Sequence, residues 1–236
     1  MKKIKKWAAL FVISLCMLTN LTGCVKLRQE ETLAQVQGNL DSIYLGKVTD
    51  EYMRIVEASE EEIMRDYEAG LEVEADYFAN YWYIVDSEYG EAYSDLDDDL
   101  KEDIIELLKD IYSHSKYQLV SATPQDLTSY AVKLYVSPID IMERAVAVLE
   151  DESYEPLNAF HEKYSTEYVE SMTDEEYWDY TNEYGKIIVQ LVRDQLPDLG
   201  YKEEKSQSMQ VELIGNYWII NDDDFSTFDS YVIYYP

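Results

Sequence analysis

KYQLVSATPQDLTSYAVKLYVSP, residues 116–138, is the stretch that decides the fold class. Up to His114 the apolar residues recur at intervals of three and four, which is the period of a helix; beyond it the period falls to two. Tyr117–Ala122 and Ser129–Val136 read as two strands joined by the turn-rich Thr123-Pro124-Gln125-Asp126. In the second strand Tyr130, Val132, Leu134 and Val136 share one face, and Pro138, which has no N–H for a ladder, closes it. A hairpin set among helices predicts an α+β protein, with long helices packed on antiparallel β-hairpins.

Upstream, Leu33, Val36, Leu40, Ile43 and Tyr44 mark a first helix that Gly46 interrupts, and Val48, Tyr52, Ile55 and Val56 mark a second. Ser59-Glu60-Glu61-Glu62 is a capping-box pattern, with the N-cap serine followed three residues later by a glutamate. It opens a long helix with Ile63, Tyr67, Leu71, Ala75, Phe78 and Trp82 facing inward and Gly70 as a weak point. After a break at residues 87–90, a further helix buries Leu96, Leu100, Ile104, Leu107, Leu108 and Ile111. Downstream, helices are expected from Asp140 to Leu149 and again after Pro156, with Leu157, Phe160, Tyr164 and Tyr168 aligned. A second capping box, Thr173-Asp174-Glu175-Glu176, starts a helix that Pro197 ends. A second hairpin follows: Ser206–Ile214, a Gly215-Asn216 turn, then Tyr217–Ile220. The tail predicts a short turn or helix near residues 223–228 and a last strand, Tyr231–Tyr235. Helices followed by a hairpin thus occur twice. They predict one unit over 32–138 and a second over 139–236, either by internal duplication or by recurrence of a common helix-helix-hairpin arrangement.

The N-terminus carries a different message. Lys2, Lys3, Lys5 and Lys6 precede an apolar run from Trp7 to Leu18, and the small Gly23 stands before Cys24. A basic start, a short apolar segment and a small-residue cleavage site make an export signal over 1–23. The apolar run is about a dozen residues, short of the ~20 that span a bilayer as a helix. Leu21-Thr22-Gly23-Cys24 resembles the lipobox of bacterial lipoproteins, which implies cleavage between Gly23 and Cys24 and acylation of Cys24. Residues 24–31 then form a short polar tether to the domain.

Of the two cysteines, Cys16 leaves with the signal and Cys24 is the acylation site, so neither a disulfide nor thiol chemistry is expected in the domain. The formal charge of the chain is −30, and without the four signal lysines 15 basic side chains face 49 acidic ones. That balance lacks the basic footprint that nucleic acid requires and disfavours adhesion to anionic lipid through the protein surface. Acidic residues interleaved with apolar ones at regular spacing describe a folded core with a solvated acidic shell rather than a disordered chain.

With so many carboxylates, pairs at any spacing occur by chance. Asp97-Asp98-Asp99 and Asp222-Asp223-Asp224 are the densest runs; neither follows the calcium-loop pattern, and both lie where helices begin, where aspartate caps and favours the dipole. No metal site and no cofactor are expected. His114, beside Ser113 and Ser115, lacks the oriented third group of a triad, and His161 lacks a second ligand at zinc spacing. No glycine-rich phosphate loop occurs. No catalytic residue is assigned, and the chain is expected not to be an enzyme. The aromatics offer one binding possibility: Tyr81, Trp82 and Tyr83 lie close in one helical stretch, and Trp178 and Trp218 could join them around a ligand or partner groove.

The signal, the phrase YSHSKYQLVSATPQDLTSYAVKLYVSPIDI and the tail GNYWIINDDDFSTFDSYVIYY together resemble the uncharacterised small acidic lipoproteins of low-GC Gram-positive bacteria. The helix-and-hairpin order is also similar to nuclear-transport-factor-2-like and cystatin-like folds, which host many functions. The resemblance implies a domain on the outer face of the cell membrane, held by acylated Cys24; the expected role, a reading of this chain rather than of the resemblance, is to bind an envelope protein or peptide. A small-ligand, sugar or peptide receptor and an envelope hydrolase working with two carboxylates are the alternatives.

Overall fold

A computed structural model describes residues 29–215 and 217–236. The predicted export signal, Gly23, Cys24 and most of the predicted tether lie outside the described residues. The tether is shorter than expected, because the first helix, α1 (Gln29–Leu45), already begins inside its predicted range. Gly46, at φ +60°, ends α1 in the left-handed conformation that glycine adopts without penalty. α2 (Asp50–Val56) and the 22-residue α3 (Glu60–Tyr81) follow, and Gly70 does not interrupt α3. Next come α4 (Asp98–Tyr112), the strands β1 (Lys116–Pro124) and β2 (Ser129–Ser137), and α5 (Ile141–Glu150). α6 (Glu155–Lys163), α7 (Thr166–Val169) and α8 (Asp174–Arg193) precede β3 (Lys205–Ile214), β4 (Tyr217–Ile220) and α9 (Asp222–Val232). The architecture is α+β, with an antiparallel sheet in the order β1-β2-β3-β4.

The chain divides into two compact units. The first takes the residues up to Gly70, Ser115–Pro138 and Tyr201–Ile233; the second takes Leu71–His114, Ile139–Gly200 and Tyr234–Pro236. This differs from the expected units 32–138 and 139–236. The two predicted hairpins pair through β2 and β3 into a single sheet, Tyr130 opposite Val211 and Val132 opposite Met209. A lone two-stranded hairpin is marginal in water, and joining the two gives each apolar inner strand a neighbour on both sides.

In the first unit one sheet face is apolar. Tyr130, Val132, Leu134 and Val136 are all buried, as their alternation predicts, together with Met209 and Val211 of β3. α1 and α9 pack on the strands, with Tyr44, Tyr117 and Phe228 forming an aromatic triad at centroid distances of 5.8–6.3 Å. The opposite face carries exposed Gln118, Lys133, Ser206 and Ser208. Val120 sits at a bulge in β1, where the register with β2 shifts.

The second unit is helical. All six predicted α4 core residues are buried, and α4 packs on α8, whose Ile188, Leu191 and Val192 are fully covered. Gly185 lets the helices approach closely: a Cβ there would lie 2.6 Å from Leu100 Cδ2. Asp140 closes the end of this unit, accepting two bonds from Arg144 at 2.9 Å and one from the Gly200 N–H at 2.8 Å.

Both predicted capping boxes form. Ser59 and Glu62 exchange side-chain-to-backbone bonds at 2.9 and 3.3 Å, and Thr173 and Glu176 repeat the geometry. The predicted last strand does not form. Tyr231 and Val232 instead complete the final turn of α9, which Asn221 caps at its start before Asp222. The chain then leaves as an extended tail, with the Tyr234 N–H donating to Ile139 O at 2.9 Å.

Candidate functional site

The five aromatic candidates do not gather in one unit. Trp218 belongs to β4 in the first unit, half-buried against Tyr130 at 5.7 Å, with its carbonyl accepting from Gln35 Nε2 at 2.7 Å. Tyr81, Trp82, Tyr83 and Trp178 belong to the second. Even there they play different parts, because α3 ends among them.

Trp82 is core, 4% exposed, packed on Phe78 and edge-on to Tyr81. Its indole N–H is buried without a partner among the described residues, a polar group left unsatisfied. Tyr81 stacks on Tyr77 and meets Tyr235 edge-on at 4.8 Å, and burial first, then neighbouring tyrosines, push its hydroxyl up to about 12. Tyr83 points the other way: it is 82% exposed and takes φ +55°. The Ile84 N–H reaches back to Ala79 O at 2.8 Å, so Tyr83 fills the left-handed position of a Schellman-type helix end, where glycine is usual. Trp178 is half-exposed on α8 beside Tyr177.

A groove of about 700 Å³ opens in the second unit along α6 and α8. Tyr154, Lys163, Tyr164, Asp179, Glu183 and Lys186 contribute to its lining. The lining residue Tyr164 belongs to an aromatic cluster in which Phe160 meets Tyr164, Tyr180 and Tyr184 at 4.8–5.7 Å, and the Tyr184 hydroxyl donates to Trp82 O at 3.0 Å. The Trp82 backbone is therefore tied to this aromatic cluster, although its ring does not line the groove. The sequence signal for this cluster is Phe160 and Tyr164 four apart at the end of α6, which periodicity aligns, with Tyr180 and Tyr184 four apart on α8; that the two pairs meet is not visible in spacing.

At the groove rim Glu183 accepts from Lys163 Nζ at 2.6 Å and from the Tyr164 hydroxyl at 2.7 Å. The bond from Lys163, joined by that from Tyr164, outweighs burial, which acts the other way, and holds the Glu183 carboxyl below its ordinary range. A general acid needs the reverse shift, so this carboxylate is suited to binding charge rather than delivering a proton. Burial and then Asp194 push the Tyr154 hydroxyl up to about 12.

The acidic runs serve helix starts, with one change from expectation. Asn221, not an aspartate, caps α9, accepting from the N–H groups of Asp223 and Asp224 at 3.1 Å, while Asp224 Oδ2 accepts from the Gln210 N–H at 2.7 Å. Asp97 holds the N-cap position of α4 without a side-chain cap bond, and Asp98 pairs with Lys101 at 2.8 Å. Among the described residues no group of three or more His, Cys, Asp or Glu is arranged to hold a metal ion. His114 follows the end of α4 with its N–H on Ile111 O, and His161 lies edge-on to Phe160 in the last turn of α6.

No family model matches the chain, and no curated protein matches it. In fold it is similar to the crystal structure of "a putative lipoprotein (ycdA)" from Bacillus subtilis, with a TM-score of 0.56 and 19% identity. The similarity covers 89% of this chain and 57% of that one, so the chain spans little more than half the length of that protein. Among the described residues no helix is long and apolar enough to cross a membrane.

Proposed function

We propose that the chain is a lipoprotein of a Gram-positive bacterium, held on the outer face of the cell membrane through acylated Cys24, and that its domain binds an envelope protein or peptide without catalysing a reaction. The observation that carries the proposal is Leu21-Thr22-Gly23-Cys24 at the end of an export signal, which leaves Cys24 as the one thiol of the processed chain. Likeness in fold to a protein described as a lipoprotein supports it. A strongly acidic domain has little attraction of its own for anionic lipid, so retention at the membrane falls to the acyl chains. One chain gives marginal attachment and two give stable attachment.

The test is the mass of the N-terminal peptide together with cell fractionation. The expected result is a diacylated peptide beginning at Cys24, and release or mislocalisation of Cys24→Ser. An unmodified Cys24 in membrane-bound protein overturns the anchor.

A second reading, a receptor for a small polar ligand, is favoured by one feature. The groove along α6 and α8 has the size of a ligand site and sets Tyr154 and Tyr164 beside the Lys163–Glu183 ion pair. Thermal stabilisation by a sugar or short peptide, lost in Tyr164→Ala, selects the receptor; a flat response across a broad panel selects a protein partner.

A further inference from the structure

The tips of both hairpins are apolar and exposed. Leu127, in the β1–β2 turn, is 80% exposed, Ile214 57%, Tyr217 43% and Ile219 41%. They lie at one end of the sheet, because the Leu213 N–H donates to Thr128 O at 2.8 Å and Ile214 stands opposite Tyr217. α1 runs toward this end as it is followed back to its start. Asp41 accepts from the Tyr117 hydroxyl at the far end of β1, whereas Gln35, six residues earlier, donates to Trp218 O beside the tips. Another six residues back, about 9 Å at helical rise, is Gln29, the first residue of α1 and exposed. Cys24 is five residues further, at most about 18 Å even at full extension.

The strands themselves carry little charge. Of 49 acidic side chains in the chain only Glu212 lies on a strand, opposite Ile219 at the tip end, and Asp126 adjoins Leu127 in the β1–β2 turn, whereas Lys116 and Lys205 stand at the far end and Lys133 between. The sheet is the acid-poor element of an acidic protein, and its tip end presents leucine, isoleucine and tyrosine, the residue types suited to the boundary between headgroups and acyl chains.

We propose that the hairpin tips at Leu127, Ile214, Tyr217 and Ile219 dock into the outer surface of the lipid bilayer beside the anchor, so that the first unit stands on its sheet tips rather than swinging on a tether. The occupant is the lipid interface, and the contact is apolar rather than electrostatic. It rests on acylation of Cys24.

The experiment uses the acylated chain reconstituted in phosphatidylcholine vesicles. Leu127→Cys and Tyr217→Cys each carry an environment-sensitive fluorophore, and Ser206→Cys, exposed at the other end of β3, is the reference. Flotation reads the anchor, and quenching by nitroxide lipids reads the docking. The expected result is a chain that floats, with labels at 127 and 217 blue-shifted and quenched several-fold more than the label at 206. A floating chain with three equal labels overturns the docking alone, and a chain that does not float overturns anchor and docking together. A blue shift without vesicles that grows with protein concentration assigns the tips to a second copy of the chain and also overturns the proposal.

Discussion

The Tyr117 hydroxyl donates to Asp41 Oδ1 over 2.6 Å, joining the first strand to the first helix across the aromatic triad. Burial, ahead of the bond to Asp41 and its charge, drives the Tyr117 hydroxyl well above its ordinary range. Tyr117→Phe removes the donor from a carboxylate that retains only its bond from Gln37 among the hydrogen bonds described for it. A loss of about 1–3 kcal/mol is expected, read from the denaturant midpoint at constant slope. A Tyr117→Phe/Asp41→Asn double variant that loses less than the sum of the singles confirms direct coupling; strict additivity contradicts it.

Alkaline pH should unfold the chain through its tyrosines. Tyr81, Tyr93, Tyr154 and Tyr184 are each raised to about 12, in every case with burial as the leading cause. Below pH 10 both states are protonated and the stability is fully present. Between about 10 and 12 the unfolded chain gives up protons that the folded chain retains, so stability falls as pH rises through that window. Tyrosinate absorbance should therefore appear together with loss of helix signal. Full tyrosine ionisation near pH 10 in a still-folded chain contradicts this.

Gly185→Ala tests the seam between α4 and α8. Alanine gains about 1 kcal/mol of helix propensity, but its Cβ would meet Leu100 Cδ2 at 2.6 Å and Ile84 Cγ2 at 3.0 Å. Overpacking costs about 1–3 kcal/mol, so a net loss is expected. A raised melting temperature shows that Leu100 can move aside at little cost.

Tyr83→Gly should act in the opposite direction. The side chain is 82% exposed, so little packing is lost, and glycine relieves a left-handed conformation that costs an ordinary residue about 1–2 kcal/mol. The gain is offset in part by the greater freedom of glycine in the unfolded chain. A rise of a few degrees in Tm is expected; a fall shows that the ring makes a contact needed for folding.

Calcium and chelators should leave the Tm unchanged. Asn221 already serves the α9 start, Asp224 is engaged by Gln210, and Asp98 by Lys101. A drop of many degrees on chelation instead identifies a bound cation.

Local signals were legible in the sequence, and long-range ones were not. The capping boxes at Ser59 and Thr173 and the alternation through Tyr130 to Val136 depend on residues a few positions apart, so pattern alone locates them. Which hairpin pairs with which does not, because Tyr130 reads equally well beside an unknown strand or beside Val211. The tail shows the same limit: Tyr231 to Tyr235 is apolar enough for a strand, yet α9 runs on through Tyr231 and Val232. The aromatic cluster at 81–83 separated by direction. Trp82 follows the α3 stripe inward, whereas the helix end turns Tyr83 outward.

The pairing of β2 with β3 imposes an order on folding. A chain that emerges from its N-terminus presents α1 to α4 and the first hairpin before α5 to α8 have followed, and well before β3. During that interval β2 presents an unpaired edge with Val132 and Leu134 uncovered, the type of strand that joins foreign edges and aggregates. Closure waits for β4, whose Trp218 meets Gln35 across 183 residues of chain. Such long-range closure is slow. The acidic shell then has a kinetic use: chains that repel one another through dozens of carboxylates stay apart while their sheets are still open.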